Sequence, residues 1–213
     1  MLGEVLCEAG APTEYVYFPT NGFISLLAQM PHIAGVEVGM VGAEGMLGGQ
    51  LVLDVSTVPL LALVQGIGVA WRCPAAAFGA QLARSASLRT VLNRYLYVQM
   101  LQLSSTAPCL RYHLIVPRLS RWLLMSQDRA RSATFKITHE FLGYMLSVRR
   151  AGVSVAAGAL QDSGLIEYRR GFVTVLDRAG LEAAACDCYA CDRAAYSRVM
   201  APRKPAKSAG AIA

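Results

Sequence analysis

Apolar residues between Gly3 and Trp71 occur in short runs that glycine, proline and asparagine separate. Runs of this length, with a turn about every 8–12 residues, are typical of short β-strands. The segment EYVYFPTNGFISLL carries aromatic and β-branched residues on both sides of Asn21-Gly22, a pair that favours a tight β-hairpin. This part of the pattern therefore predicts a sandwich, a barrel or a roll.

After Pro74 the apolar residues recur with the spacing of a helix, and residues that break helices become rare. Apolar side chains recur there at steps of three and four residues over about five helical turns, and we predict one long helix over residues 81–107. We expect Pro108 to end this helix. A helix so apolar needs a partner beyond its own domain, and a second copy of the chain is the simplest candidate. The predicted dimerisation stripe comprises Leu88, Leu92, Leu96, Met100 and Leu103.

Further helices are predicted on either side of residues 130–176. Asp177 is a good N-cap for a final helix that contains all of RAGLEAAACDCYACDRAAYSRVM. Residues 201–213 are rich in proline, alanine and lysine, and we predict that this tail is disordered.

The segment LIVPRLSRWLLMSQDR, which begins at Leu114, predicts an amphipathic helix. Its predicted inward-facing residues are Leu119, Trp122, Leu123 and Met125.

Two short helices are predicted between Thr138 and Asp162. Thr138 is a good N-cap, and Glu140 lies in the first turn, where the positive end of the helix dipole favours an acid. This helix should end near Leu146, and Ser147 can cap a second helix that continues to about Asp162. Two helices joined by so short a turn form a helix-turn-helix pattern.

A small β-hairpin is predicted after this pair of helices. LIEYRR and FVTVLD are rich in strand-forming residues and flank Gly171. Arg169 and Arg170 make the tip of the hairpin basic. A helix-turn-helix followed by such a hairpin is a winged helix.

Composition and charge narrow the classes of function. Apolar residues make up 54% and charged residues 16% of the 213 residues, which excludes a disordered chain. Residues 1–107 hold 4 Lys/Arg and 6 Asp/Glu, a net charge of −2, whereas residues 108–213 hold 16 and 8, a net charge of +8. The C-terminal half therefore has the sign expected for a polyanionic partner such as nucleic acid.

The sequence predicts a cytoplasmic chain with no membrane partner. Its longest uncharged stretches contain proline and glycine, so they do not resemble transmembrane helices. The first residues, MLGEVLCEAG, lack the basic start of a signal peptide.

The order of the predicted elements resembles the Crp/Fnr family of bacterial transcription regulators. The segments EYVYFPTNGFISLL, VGAEGMLGG, RLSRWLLMSQDR and residues 137–182 carry the resemblance. It implies an α+β fold: a β-roll like a cyclic-nucleotide-binding domain (1–80), a long dimerisation helix (81–107) and a DNA-binding winged helix-turn-helix (108–200). It also implies a dimeric regulator that binds double-stranded DNA at a pseudo-palindromic operator. RNA polymerase is a further candidate partner.

The sequence departs from the family's pattern at the roll. It begins where the family's second or third roll strand would lie, so we expect an N-terminally truncated roll. The family's cyclic-nucleotide binders carry a Gly-Glu pair for the ribose and an arginine soon after it for the cyclic phosphate. Here Glu44 and Gly45 are the candidate effector contacts, and no Arg or Lys lies between Glu44 and Trp71. A buried phosphate without a cation is costly, so cyclic AMP is not expected to bind.

The second helix of the predicted pair begins with two arginines, at the end that enters the major groove in helix-turn-helix proteins. Arginine there can donate two hydrogen bonds to guanine or clamp phosphates. A solvated helix end is the alternative interpretation. The small residues that follow should divide into a DNA-facing side and a core-facing side. The predicted DNA contacts are Lys136, Thr138, Ser147, Arg149, Arg150, Ser154, Arg169 and Arg170.

Cys186, Cys188 and Cys191 form a C-x-C-x-x-C motif, for which a metal site is one interpretation. On one continuous helix Cys186 would point away from the other two, and no second Cys/His cluster lies nearby in the sequence. We therefore expect neither a metal site nor a cofactor, and interpret the three as small buried helix residues. The chain has no catalytic motif, so no enzyme is predicted.

Two alternatives to a DNA-binding regulator stay open. The low charge of residues 147–161 also suits a ligand-sensing or protein-docking module whose winged helix does not bind DNA. A truncated roll would suit a regulator that has lost its function. The identity of the effector, the operator sequence and the direction of regulation lie beyond the sequence.

Overall fold

The N-terminal part of the chain is a β-roll built from two sheets. The computed structural model describes residues 3–30 and 33–202. The strands of the roll are β1 (Val5–Cys7), β2 (Tyr15–Pro19), β3 (Ile24–Met30), β4 (Ile33–Val41), β5 (Leu61–Val64) and β6 (Ala70–Pro74). One antiparallel sheet has the order β1-β5-β3-β4, and β2 pairs with β6 in the other. A 3-10 helix, Gly49–Leu53, lies between β4 and β5.

The predicted β-hairpin at Asn21-Gly22 is wrong. β2 pairs with β6, whereas β3 pairs with β4 and β5, so the turn joins two different sheets. The side chain of Asn21 accepts a hydrogen bond from the backbone N–H of Val69 at 2.7 Å. Gly22 has a φ of 71°, and a Cβ there would lie 2.5 Å from the carbonyl oxygen of Gly66. The turn therefore packs against a distant loop, a role that local turn preference does not reveal.

Two helices, α1 (Ala75–Arg84) and α2 (Ala86–Tyr112), follow the roll. Ser85 separates them, and its hydroxyl accepts a hydrogen bond from the backbone N–H of Leu88 at 3.2 Å, which caps α2. The predicted helix over residues 81–107 is therefore wrong at both ends, since it begins inside α1 and stops short of the end of α2.

Pro108 lies inside α2 and does not end it, contrary to the prediction. A proline in a helix removes one backbone hydrogen bond to the preceding turn. The helical turn that contains Pro108 buries Cys109, which is 2% exposed. This burial offsets the lost hydrogen bond, and the continued helix brings Cys109 and His113 close to the C-terminal helices.

The apolar stripe of α2 is divided between the roll and solvent. Leu92 is buried, and Leu88 and Leu96 pack against the core of the roll. Part of the predicted dimerisation stripe is thus an internal contact, because the roll approaches α2 from that side. The large apolar side chains of α2 that are exposed are Val91, Tyr97, Met100, Leu103 and Tyr112.

The C-terminal part is a winged helix with two further helices. Its elements are α3 (Ile115–Ala130), β7 (Thr134–Lys136), α4 (His139–Leu146), α5 (Arg150–Asp162), β8 (Ile166–Arg169), β9 (Phe172–Val175), α6 (Arg178–Ala184) and α7 (Cys188–Met200). The three strands form one antiparallel sheet in the order β7-β9-β8. Within the described ranges, no helix has the length and apolarity of a membrane span. The predicted tail lies outside the described residues from residue 203 onward.

The predicted final helix is two helices, α6 and α7. Asp177 caps α6 as predicted, accepting a hydrogen bond from the backbone N–H of Gly180 at 2.9 Å. The chain leaves the helical conformation at Ala185, which has extended backbone angles. Cys186 is buried in this break, and its N–H donates to the carbonyl oxygen of Pro117 at 3.4 Å. The break turns Cys186 toward α2 and α3.

α3 lies at the centre of a core that the roll and the winged helix share. Its residues Leu119, Trp122, Leu123 and Met125 are buried, as predicted, and they belong to one cluster with buried residues of the roll and of α4 and α5. The ring of Trp122 meets that of Phe23, on the roll, edge to face, with 6.3 Å between the ring centroids. The roll and the winged helix are therefore packed directly against each other. The predicted α+β architecture of a roll, a long helix and a winged helix-turn-helix is confirmed.

Candidate nucleic-acid interface

The turn between α4 and α5 is tight because of a glycine. Thr138 caps α4 as predicted, since its hydroxyl accepts a hydrogen bond from the N–H of Phe141 at 3.2 Å. At the other end, the N–H of Val148 donates to the carbonyl oxygen of Gly143 at 2.9 Å. A Cβ on Gly143 would lie 2.9 Å from the carbonyl oxygen of Val148. Only a residue without a side chain lets α5 begin so close to α4.

Ser147 does not cap α5, contrary to the prediction. It ends α4 with a φ of 51° in the left-handed region. Arg149 occupies the N-cap position of α5, and its carbonyl oxygen accepts hydrogen bonds from the N–H groups of Gly152 and Val153 at 2.9 and 3.3 Å. No side chain caps this end of α5, and no acid lies in its first turn. The exposed Arg149 and Arg150 thus lie at a positive helix end without a local counter-charge.

The two sides of α5 differ as predicted. Val153 and Leu160 are buried against α3 and α4, together with the two alanines between them. On the opposite side Ala151 and Ser154 are exposed, and Val155 is 75% exposed. Beyond the arginines, the outer face of α5 is therefore made of small and apolar side chains.

The wing is a hairpin whose turn carries an arginine in a left-handed conformation. Arg170 and Gly171 have φ values of 50° and 80°, which is typical of a type I′ turn. A residue with a Cβ in this region costs about 1–2 kcal/mol relative to the right-handed region. Asn or Gly would be better suited to this position. Because Arg170 occupies this unfavourable conformation and is exposed, we expect its side chain to have a role at the tip of the wing.

His139 joins the wing to α5. Its Nδ1 lies 2.9 Å from the Oγ of Ser154, and its ring stacks on Tyr168 of β8 with 4.1 Å between the centroids. The hydroxyl of Tyr168 donates to the carbonyl oxygen of Ile137 at 2.7 Å. Burial chiefly, and the nearby Arg150, lower the pKa of His139. The wing and α5 are thereby held in a fixed relation, and Ser154 is already engaged within the chain.

The residues predicted to contact DNA lie at α5 and around the wing. Arg149 and Arg150 lie at the start of α5, with Ser147 just before them. Lys136 pairs with Phe172 across the wing sheet, and the N–H of Ile137 donates to the carbonyl oxygen of Gly171 at 2.8 Å. All the predicted side chains are exposed, namely Lys136, Thr138, Ser147, Arg149, Arg150, Ser154, Arg169 and Arg170.

The candidate effector residues Glu44 and Gly45 are engaged in contacts within the chain. The carboxylate of Glu44 forms an ion pair with Arg129 of α3, with 2.7 Å between Oε1 and Nε. The backbone carbonyl of Glu44 accepts a hydrogen bond from the hydroxyl of Tyr196 at 3.0 Å. Gly45 lies against the ring of Tyr95, where a Cβ would be 2.0 Å from the hydroxyl oxygen. The position that the resemblance assigns to ribose contact therefore joins the roll to α2, α3 and α7 in this structure.

A separate cavity of about 360 Å³ lies between the roll and α2. Leu47 and Pro59 line it from the roll and Leu96 from α2, and among the residues that the structure describes no charged side chain lines it. Three methionines contribute flexible apolar surface. These methionines are Met40, Met46 and Met100.

Several residues of interest were missed by the sequence analysis. No second Cys/His cluster lies near Cys186 and Cys188 in the sequence, but the fold brings both beside Cys109 and His113 at the end of α2. The i, i+4 spacing of Cys109 and His113 places two residues on one face of a helix, and it could have indicated that these two side chains lie close together. Glu37, buried beside Trp122, gave no signal, since it lies in an ordinary strand pattern.

The comparisons with known proteins agree with this architecture. Residues 117–184 match the family described as the Crp-like helix-turn-helix domain. Among solved structures, FixK2 from Bradyrhizobium japonicum has a TM-score of 0.72 at 15% identity, covering 87% of this chain and 94% of that chain. A CRP-family transcriptional regulator from Thermus thermophilus has a TM-score of 0.69 at 20% identity, covering 86% and 94%.

A third similar structure is the c-di-GMP-responsive global regulator CLP of Xanthomonas campestris. It has a TM-score of 0.61 at 16% identity and covers 83% of this chain and 91% of that chain. At these identities the likeness concerns the fold alone. No curated protein matches the sequence.

Proposed function

Because residues 117–184 form a Crp-like helix-turn-helix domain within a Crp/Fnr fold, we propose that this chain is a dimeric, sequence-specific transcription regulator that binds double-stranded DNA. The observation that carries the proposal is the start of α5. Arg149 and Arg150 are exposed there, at a helix end whose amides lack a side-chain cap. Helix-turn-helix proteins insert this end of the second helix into the major groove.

The wing supports the same orientation. Arg169 and Arg170 project from the hairpin that Tyr168 and His139 tie to α5. Lys136 and Thr138 lie beside it, exposed. Contacts from the wing to phosphates would fix the register of α5 in the groove, while the arginines of α5 contact base edges.

Dimerisation is proposed to occur along the exposed side of α2. Tyr97, Met100 and Leu103 are 47%, 52% and 40% exposed and lie within about 120° of one another around α2, a concentration of apolar surface that solvent does not favour. A parallel second copy of α2 would cover it and relate the two α5 helices by a two-fold axis.

The proposal is tested by selecting duplexes from a random DNA library with the full-length protein. We expect enriched sequences with two inverted half-sites whose centres are about 34–36 Å apart, or a multiple of that spacing. Affinity should fall steeply with salt, since phosphate contacts release counterions. No enrichment and no DNA affinity at low salt would contradict the proposal and favour a protein-docking role, to which the exposed Val155 is suited.

The dimer is tested with Tyr97→Glu/Met100→Glu, analysed by light scattering during gel filtration. Two charges placed in an apolar interface should convert the dimer to a monomer at micromolar concentration, because a buried unpaired charge is costly. Val5→Glu on the edge strand β1 changes an equally exposed apolar residue away from α2 and should stay dimeric. A dimer that persists in the double variant would place the interface elsewhere.

Cyclic AMP is not expected to be the effector of this regulator. Among the described residues, the cavity between the roll and α2 lacks a cation that could neutralise a phosphate, and Glu44 is held by Arg129. In a thermal-shift measurement, millimolar cyclic AMP should leave the melting temperature of the full-length protein unchanged. Saturable stabilisation by cyclic AMP would contradict this expectation, because a ligand stabilises the state to which it binds.

A further inference from the structure

Four side chains that can bind a metal ion meet at the junction between α2 and the C-terminal helices. Cys109 lies near the end of α2, and His113 directly follows that helix. Cys186 lies in the break between α6 and α7, and Cys188 begins α7. The ligand atoms of all four lie within 4.8 Å of one another. Two segments far apart in the sequence therefore bring their sulfur and nitrogen atoms to one point.

Two of the six distances between the ligand atoms match the edges of a tetrahedron, and the other four are at most 4.8 Å. The Sγ atoms of Cys109 and Cys186 are 3.7 Å apart, and the Sγ of Cys188 is 3.7 Å from the Nδ1 of His113. Zinc–sulfur bonds of about 2.3 Å at tetrahedral angles place two sulfurs about 3.8 Å apart. With a zinc–nitrogen bond of about 2.0 Å, sulfur and nitrogen are about 3.5 Å apart. An ion can therefore be placed between these atoms with little rearrangement.

Buried positive charge lies beside the cluster and can offset the charge of thiolates, which are the forms of cysteine that bind metal. The Nη1 of the buried Arg121 lies 3.7 Å from the Sγ of Cys109. Arg118 is buried too, and among the residues that the structure describes it forms no ion pair with a carboxylate. Three thiolates around a divalent ion would leave one negative charge for these guanidinium groups to offset.

We propose that Cys109, His113, Cys186 and Cys188 bind one structural zinc ion. A set of three cysteines and one histidine is typical of closed zinc sites, in which four protein ligands leave no position for substrate. Thiolate ligands in tetrahedral geometry select against magnesium and calcium. Cys109 and Cys186 are buried and Cys188 and His113 are partly exposed, so the site is shielded and yet has a path for the ion.

The ion would join α7 to α2. α2 carries the exposed side proposed for the dimer, and α6 and α7 continue directly from the wing. The ion pair of Arg121 with Asp192, at 2.8 Å, and the hydrogen bond from Ser105 to Asp192, at 2.9 Å, connect α2, α3 and α7 beside the site. Zinc would fix the orientation of the winged helix relative to α2. The zinc site itself does not depend on the proposed DNA binding.

The test is the metal content of the full-length protein, purified without a histidine tag and measured by plasma mass spectrometry. We expect about one zinc per chain, as four ligands hold a single ion. Cys109→Ser and Cys188→Ser should each lose most of this zinc. Cys191→Ser is the matched control, because Cys191 lies on α7 as well but is exposed and outside the group, and it should keep its zinc. Zinc retained at wild-type level in Cys109→Ser and Cys188→Ser would overturn the proposal.

Cobalt(II) provides a second measurement, which does not depend on the folding of any variant. Added to zinc-depleted wild-type protein, cobalt should produce the intense ligand-field and thiolate charge-transfer absorption of a tetrahedral site, and one equivalent of zinc should remove it. Absence of this absorption together with absence of zinc would overturn the proposal. Iron with visible absorption in the protein as purified, or a Cys109–Cys186 disulfide found by mass spectrometry, would also overturn it.

Discussion

Replacing both arginines at the start of α5, in the variant Arg149→Ala/Arg150→Ala, should lower the affinity for the selected operator by at least about a hundredfold. Each base-contacting arginine contributes about 1–3 kcal/mol, and the double change acts in both subunits of the proposed dimer. Both side chains are exposed and make no ion pair in the described part of the chain, so the fold should not depend on them. Fluorescence anisotropy with labelled operator and with a scrambled duplex measures the effect.

The matched control removes the same charge from the roll and from α1. Arg72→Ala/Arg84→Ala changes two exposed arginines that lie outside the winged helix, and should leave operator affinity within about twofold of wild type, since distant charges are screened.

The salt dependence of affinity separates the roles of Arg149 and Arg150. A phosphate contact that is lost lowers the slope of log affinity against log salt by about one, whereas a base contact that is lost relaxes the preference for operator over scrambled duplex. Unchanged specific binding by the α5 variant would place base recognition elsewhere.

Glu37→Gln should raise the stability of the protein above neutral pH, by an amount on the order of 3 kcal/mol. Glu37 lies on β4 and is buried against β3 and α3. Its Oε1 accepts a hydrogen bond from the indole N–H of Trp122 at 2.8 Å, and its Oε2 accepts one from the hydroxyl of Ser25. Burial raises the pKa of Glu37 from 4.5 to about 7, although these hydrogen bonds and the nearby Arg129 oppose the rise. Each pKa unit corresponds to about 1.4 kcal/mol, which gives the expected size of the effect.

The sign of the effect follows from which state releases the proton. Below pH 4.5 the carboxyl is protonated in both states, so Glu37 carries no penalty there. Between pH 4.5 and about 7 the unfolded chain releases the proton and the folded chain keeps it, so stability falls as the pH rises. Above that range the penalty is constant. The amide that the Glu37→Gln change introduces stays neutral throughout and can keep both hydrogen bonds.

Urea unfolding of wild type and Glu37→Gln at a series of pH values from 5 to 8.5 measures the difference. The difference between the two free energies of unfolding should be smallest at the acid end and should grow as the pH rises to about 7. Glu167→Gln removes an exposed carboxylate from β8 and should follow the wild-type profile. Parallel profiles for wild type and Glu37→Gln would mean that Glu37 is protonated or solvated to the same extent in both states.

The features that the sequence predicted well depend on short stretches of chain. The caps at Thr138 and Asp177 require only a residue and an N–H three positions later. The inner side of α5 and the inward face of α3 follow from helical periodicity, which repeats within a few residues. The order of the elements, from the roll to the wing, was predicted from the resemblance to the Crp/Fnr family.

The errors arose where distant segments compete. Asn21-Gly22 has the preference of a hairpin turn, yet the strands beside it pair with β6, β4 and β5, because those pairings close two sheets over a common core. Pro108 has the preference of a helix end, yet burial of Cys109 keeps the helix intact. Local preferences of about 1 kcal/mol yield to the burial of whole side chains, which contributes about 1.5–3 kcal/mol each.

By itself the sequence determined which residues of the winged helix are exposed and basic, since a charged side chain at a helix or hairpin end has little alternative to solvent. Only the tertiary structure decided which buried groups meet. Glu37 faces Trp122, Glu44 pairs with Arg129, and Cys109 approaches Cys186. Periodicity specifies which side of an element is covered but not which element covers it, because that depends on how all the elements pack together.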